Sequence, residues 1–333
     1  MSSNYSSTFV EPPSFSENLV ASLGILLLCL SALCTYSVLI YILASDRVKF
    51  RSAFYTLALS LALSDSSMLI IYVLYSVPCT LFQSWPLGEG FDVAMGVLVN
   101  LTYYSSLPAL FSLAINRYLA ICHYEFYSKV YTRNGVKINL ALIWLMGLIS
   151  ASFQAFPCCH LRYYFDFYLW SYDISRPGFP YYAAYEQAVL AVTAVSGVVA
   201  FSLIACSQFK RNQKVQTQNL SASQWETLKR QRSEVKLEFQ FVIVVVYGLL
   251  FAIVFTTLPT YTEYRWHLYV STVMYILNCS INPFVYFSMS KAVRTELYKL
   301  LGLKPKNLPA GVIKKAQNQA ISRGRTTVGD GQL

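Results

Sequence analysis

Seven stretches of this chain run for about 20 residues or more with almost no charge, and that pattern decides what it can fold into. They are Leu19–Ala44, Ala53–Leu81, Asp92–Ile121, Ile138–Pro157, Tyr181–Phe209, Leu237–Tyr261 and Leu268–Met289. A water-exposed surface needs charge, yet only 13% of the residues are charged and 55% are hydrophobic, against roughly 25% charged in soluble domains. In lipid the backbone must satisfy its own hydrogen bonds, and unbroken apolar runs of this length do so as helices. The expected fold class is all-α: a seven-transmembrane helix bundle. Residues 1–18 form an expected extracellular N-terminus, 19–301 the bundle with a juxtamembrane helix, and 302–333 a disordered basic tail.

The basic residues set the expected orientation. With the N-terminus outside, all but Arg162, Arg176 and Arg265 of the 26 Lys and Arg fall on the cytoplasmic side, a strong positive-inside bias. The net charge of +10 then belongs to the face that meets anionic membrane lipid and an intracellular partner, so nucleic-acid binding is not needed to explain it. The first apolar run is expected to act as its own insertion signal. Asn4-Tyr5-Ser6 is a glycosylation sequon in the outer segment, whereas those at Asn100, Asn219 and Asn278 lie in helices or inside and are expected to stay unmodified.

The few polar residues inside the apolar runs carry the functional signal. Arg117 stands where the third run leaves the membrane, in Ile115-Asn116-Arg117-Tyr118, and a cation there is costly unless paired or facing a wet cavity. Asp65 in Leu61-Ala62-Leu63-Ser64-Asp65 is the one acidic residue expected well within the membrane. The last run holds Asn278-Cys279-Ser280-Ile281-Asn282-Pro283-Phe284-Val285-Tyr286; Pro283 removes a backbone donor, and Asn282 offers both donor and acceptor. Lys291–Leu301 alternates Val293, Leu297, Leu300 and Leu301 with Lys291, Arg294 and Lys299, the pattern of a short amphipathic eighth helix on the inner surface.

Together these motifs resemble the rhodopsin-like G-protein-coupled receptors over residues 19–301: Asn-Arg-Tyr for Asp-Arg-Tyr, the Asp65 segment, Trp85-Pro86-Leu87-Gly88 in the first outer loop, Trp144, and the Asn-Pro-x-x-Tyr of the seventh segment. The resemblance implies that Asn116, Arg117, Tyr118, Asn282, Pro283 and Tyr286 form the switch that meets a heterotrimeric G protein. Glu238, at the foot of the sixth segment, is a candidate partner for Arg117, because Asn116 replaces the family's acid. It also implies that Asp65, Ser106, Asn278 and Asn282 surround a sodium ion. Within the superfamily the chain looks most like the nematode serpentine chemoreceptors, which implies an environmental chemical, small-molecule or peptide, as ligand and a sensory neuron's plasma membrane or cilium as location.

Depth and face select Tyr75, Val99, Tyr103, Tyr104, Glu186 and Thr272 as ligand-binding candidates. Glu186 is read as meeting a cationic ligand or facing water. Aminergic receptors have an aspartate where Val99 stands, which argues against an amine-type ligand. The aromatic run from Tyr163 to Tyr172 is a candidate lid. Several family features are missing. Asp92 replaces the outer cysteine of the third segment, no asparagine stands near Thr35, Pro108 falls in mid-helix, and Phe255-Thr256-Thr257-Leu258-Pro259 lacks a tryptophan. The expected disulfide is therefore Cys79 with Cys158 or Cys159. Ile276 stands where opsins carry retinal's lysine, which disfavours a visual pigment. An enzyme is not expected, since His123, His160 and His267 are scattered and assemble neither a metal site nor a triad. A transporter or ligand-gated channel would show repeated halves and more membrane charge. That reading and a non-signalling seven-helix co-receptor are the alternatives.

Overall fold

The computed structural model describes residues 12–45, 50, 52–173, 176–216, 246–248, 250–251, 253–254 and 264–303; the side chains of 201, 208–216 and 289 lie outside that description. Six helices among these residues are long and apolar enough to cross a membrane. They are α1 (Phe15–Ser45), α2 (Ala53–Phe82), α3 (Glu89–Cys122), α4 (Arg133–Ser152), α5 (Phe179–Gln216) and α6 (Arg265–Met289). Of the sixth apolar segment, 246–248, 250–251 and 253–254 are helical, so α6 corresponds to the seventh. Glu238, Asn4 and Phe255–Pro259 lie outside the described residues.

Local chemistry explains where the helices depart from regularity. Pro78 cannot donate to the carbonyl four residues back and its ring crowds that turn. The strain is absorbed by a π-helical turn at Tyr72–Ser76, after which Val77–Phe82 resumes as α-helix. Helix α3 continues unbroken through Pro108. Helix α4 begins at Arg133, five residues before the apolar run, because the Thr132 hydroxyl accepts the Gly135 N–H at 3.1 Å and caps it. Its first turns are polar, so hydrophobicity did not mark them.

Helix α3 is the centre of the bundle, packed against α2, α4 and α5. Small residues permit that approach: a Cβ on Gly147 of α4 would collide with Ser105 Oγ of α3. Helix α1 lies against α2 and α6, and the amphipathic α7 (Lys291–Leu300) returns onto α1 and α6 with Val293 fully buried. Ser290 caps α7 by accepting the Val293 N–H. Outward-facing Leu27, Leu74 and Tyr181 are each more than 65% exposed, a surface suited to lipid.

One element was not expected. Leu161–Tyr164 (β1) and Leu169–Tyr172 (β2) form an antiparallel hairpin in register Leu161↔Tyr172 through Tyr164↔Leu169. It lies over the end of the bundle where α3 starts. There Gly96 is required, since a Cβ would strike the Leu161 carbonyl.

Candidate functional site

Under the hairpin lies a cavity of about 50 Å³, room for about four water-sized groups. Helix α3 contributes Val99, Asn100 and Tyr103, α5 contributes Glu186 and Leu190, and α6 contributes Ser271, Thr272 and Tyr275. The hairpin contributes Leu161, Leu169, Trp170 and Tyr172 as a roof, and Tyr72 and Phe251 complete the wall. Four of the six sequence-selected ligand residues, Val99, Tyr103, Glu186 and Thr272, therefore meet around one cavity. The other two are placed differently. Tyr75 turns away to donate to Asp92 Oδ1 at 2.8 Å. Tyr104 packs against Tyr182 and Tyr185 rather than lining the space. Asn100, noted in the sequence only as a sequon, and Ser271 were not anticipated as cavity residues, because a single amide or hydroxyl in an apolar helix does not mark a pocket.

The roof is fastened by charge. Asp92, fully buried, accepts from Arg162 Nε at 3.1 Å, from the Tyr163 N–H at 3.2 Å and from the Tyr75 hydroxyl. Arg162 also reaches Glu89 at 2.8 Å and stacks 4.1 Å over the Trp85 ring. Trp85 Nε1 in turn donates to the Tyr163 carbonyl, and Thr272 Oγ1 donates to the Tyr168 carbonyl at 2.6 Å. The expected disulfide is corrected: Cys158 bonds to its neighbour Cys159, while Cys79 is a buried thiol outside any disulfide. Asp92 makes the tie between α3 and the hairpin, so no sulfur from α2 is needed there. Besides Asp65, Asp92 and Glu186 are buried helix acids. Next to the hairpin, partial burial and then Arg176 and Arg162 hold the His160 imidazole below its usual range.

Deeper in the bundle, Asp65 Oδ2 accepts from Tyr36 at 2.7 Å and from Asn282 Nδ2 at 2.8 Å. Tyr36 also contacts the Cys279 carbonyl at 2.6 Å. Sequence reading looked for an asparagine near Thr35; a tyrosine one residue later reaches the carboxylate instead. A cavity of about 30 Å³ adjoins, and Asp65, Ser106, Asn278 and Asn282 all line it. One carboxylate with hydroxyl and amide oxygens is a hard-donor set fit for a small cation. Among the described residues no cluster of three His, Cys, Asp or Glu exists to hold another metal. Ser64 Oγ donates to the Thr102 carbonyl and Trp144 Nε1 to Ser60, which fix α2 between α3 and α4.

At the opposite end from the hairpin, the Arg117 guanidinium lies 3.6 Å from the Phe54 ring centre. Tyr286, buried one turn beyond Asn282, packs its ring 6.0 Å from Phe54 and lies within the field of Arg117. Arg117, Phe54 and Tyr286 thus form one cluster, in which Phe54 was not anticipated. Asn116 is buried close to Tyr131. Tyr118 points elsewhere, its hydroxyl 3.1 Å from His123 Nε2. Pro283 lies within α6 between Asn282 and Tyr286. A continuous path results: Asp65, Asn282, Tyr286, Phe54, Arg117.

Known proteins share both sequence and shape. The model of a family described as the serpentine type 7TM GPCR chemoreceptor Srx matches residues 28–289. The human melatonin receptor type 1B is 31% identical over 106 residues, which cover 31% of this chain and 28% of that protein. The tachykinin-like peptides receptor 86C of Drosophila melanogaster is 22% identical over 264 residues, 73% of this chain and 51% of that receptor. The chain thus spans less than a third of the first relative and about half of the second. Squid rhodopsin superposes with a TM-score of 0.74 at 12% identity, covering 87% of this chain and 82% of that one, which establishes the seven-helix fold.

Proposed function

The chain belongs to the Srx family of serpentine-type seven-transmembrane G-protein-coupled chemoreceptors, and from that premise we propose that it converts binding of an external chemical into G-protein activation. The ligand occupies the hairpin-roofed cavity and the heterotrimeric G protein docks at the Arg117 end. The observation that carries this reading is the path from Asp65 through Asn282 and Tyr286 to Arg117, which links the interior beneath the cavity to the opposite face. Two packings of such a path, biased by ligand, are sufficient for signalling. The concentration of Lys and Arg on one side supports an outside N-terminus, a cytoplasmic Arg117 end and multi-pass insertion in a plasma membrane, of which a sensory cilium is a specialised case.

Asp65, with Ser106, Asn278 and Asn282, would hold a sodium ion, whose charge opposes the buried carboxylate and favours the closed packing. The residues' own part is to present oxygens and exclude bulk water. Glu238, which lies outside the described residues, keeps its proposed role as a restraint on Arg117.

The test is nucleotide exchange on G protein in membranes that contain this chain, across a panel of volatile and soluble chemicals. A chemical that raises exchange at least severalfold, with the rise abolished in Arg117→Ala, supports the reading. Ion currents or uptake that persist in Arg117→Ala would replace it with a channel or transporter.

A further inference from the structure

The geometry points to a compact amino alcohol, protonated at nitrogen, as the ligand class of the hairpin-roofed cavity; this rests on the reading of that cavity as the ligand site. Three polar groups in the cavity wall lack what would complete them. Glu186 is buried, and among the described residues no Lys, Arg or His pairs with it. Its neighbours are aromatic: the Tyr172 hydroxyl approaches its carboxyl, and Tyr103 lies within its field. A buried carboxyl without a countercharge either takes up a proton or bears the cost of its charge, and an ammonium in the cavity supplies the countercharge that lets it ionise. The wall is also rich in aromatic residues, among them Tyr72, Tyr103, Trp170, Phe251 and Tyr275, and aromatic rings can hold cations over their faces.

The second observation is independent of the first. Asn100 Nδ2 and Ser271 Oγ, at 3% and 0% residue exposure, have no hydrogen-bond partner among the described residues, and both residues line the cavity. An orphaned buried donor costs free energy that a ligand acceptor recovers. An amide N–H calls for an oxygen, and a serine hydroxyl can give or take the second bond. The cavity therefore asks for one cation and one oxygen in a molecule of few heavy atoms. Val99 argues against an amine bound through the third apolar segment. The acid here stands on α5, at another wall of the same cavity.

The experiment uses two pairs of probes that differ only in the charged centre: ethanolamine against 1-propanol, and dimethylaminoethanol against 3-methyl-1-butanol. Ligand-induced thermal stabilisation of the purified full chain is measured for each, with no G protein present. The expected result is saturable stabilisation by the ammonium member of a pair at concentrations at least tenfold below its neutral isostere. In Glu186→Gln the preference vanishes, whereas in Ser271→Ala both members weaken alike. Equal or better binding of the neutral member to the unmutated chain overturns the proposal, as does silence of all four probes or a preference that survives Glu186→Gln. The comparison within the unmutated chain decides the matter even if a variant fails to fold. Stabilisation by the ammonium probes without nucleotide exchange counts against the signalling reading and leaves the ligand class standing.

Discussion

At Tyr36 a single phenolic proton faces two acceptors, the Asp65 carboxyl at 2.7 Å and the Cys279 carbonyl at 2.6 Å. The hydroxyl donates toward both, so its one proton is shared between the carboxyl and the carbonyl. The proposed sodium ion, on the cavity side of Asp65, would supply a countercharge to this carboxyl. Tyr36→Phe removes the bridge between α1, α2 and α6 and is expected to cost about 1 kcal/mol, read as a lower thermal midpoint in detergent. Replacing sodium by a large organic cation at constant ionic strength should raise agonist affinity severalfold in the unmutated chain and leave Asp65→Asn unaffected. A chain whose affinity ignores sodium would remove the ion from the account. Asp65, Asn278 and Asn282 were legible because motif spacing marks them. Tyr36 was not, since one tyrosine among 26 in an apolar helix looks like any other packing residue.

Among the elements, the β1–β2 hairpin carries the largest consequence that the sequence concealed. Its residues read as an aromatic loop, because strand alternation is short and tyrosines serve on either face. What shapes it is the partner: Gly96 lets β1 lie on α3, and Asp92 anchors Arg162 and the Tyr163 N–H. Removing one member of a buried ion pair leaves the other uncompensated. Arg162→Ala is therefore expected to destabilise by about 3–5 kcal/mol and to weaken agonist binding, because the roof loses its tie. Asp92→Asn keeps its size and one acceptor oxygen for Tyr75 and the Tyr163 N–H, but sets an N–H against Arg162 Nε and removes the countercharge, so it should cost a similar amount. A double-mutant cycle on thermal stability should give a coupling above about 1 kcal/mol; additive effects would mean that the pair does not hold the hairpin. Among the described helices, α1, α2, α3 and α6 were readable to within a few residues from hydropathy, whereas α5 runs on to Gln216, past the expected Phe209. The polar first turns of α4 and the π turn of α2 were not, since a cap and a proline's steric demand decide them.

For the molecule as a whole, two regions are joined by one packed interior. The hairpin cavity and the Asp65 cavity share Tyr103 and Tyr275 in their walls, and Asn282 carries the second region on to Tyr286, Phe54 and Arg117. Overall architecture followed from seven apolar runs with almost no charge. The cavity's chemistry did not, because it arises where α3, α5, α6 and the hairpin meet and no local pattern encodes such a meeting. If ligand favours the packing that binds G protein, thermodynamic reciprocity requires G protein to raise ligand affinity by the same factor. The most direct measurement is therefore agonist affinity in membranes with and without nucleotide-free G protein. The account predicts a rise of roughly 5- to 150-fold in the unmutated chain, with Arg117→Ala showing no rise from an unchanged starting affinity. An agonist affinity indifferent to G protein in the unmutated chain would contradict the coupling on which the proposed function depends.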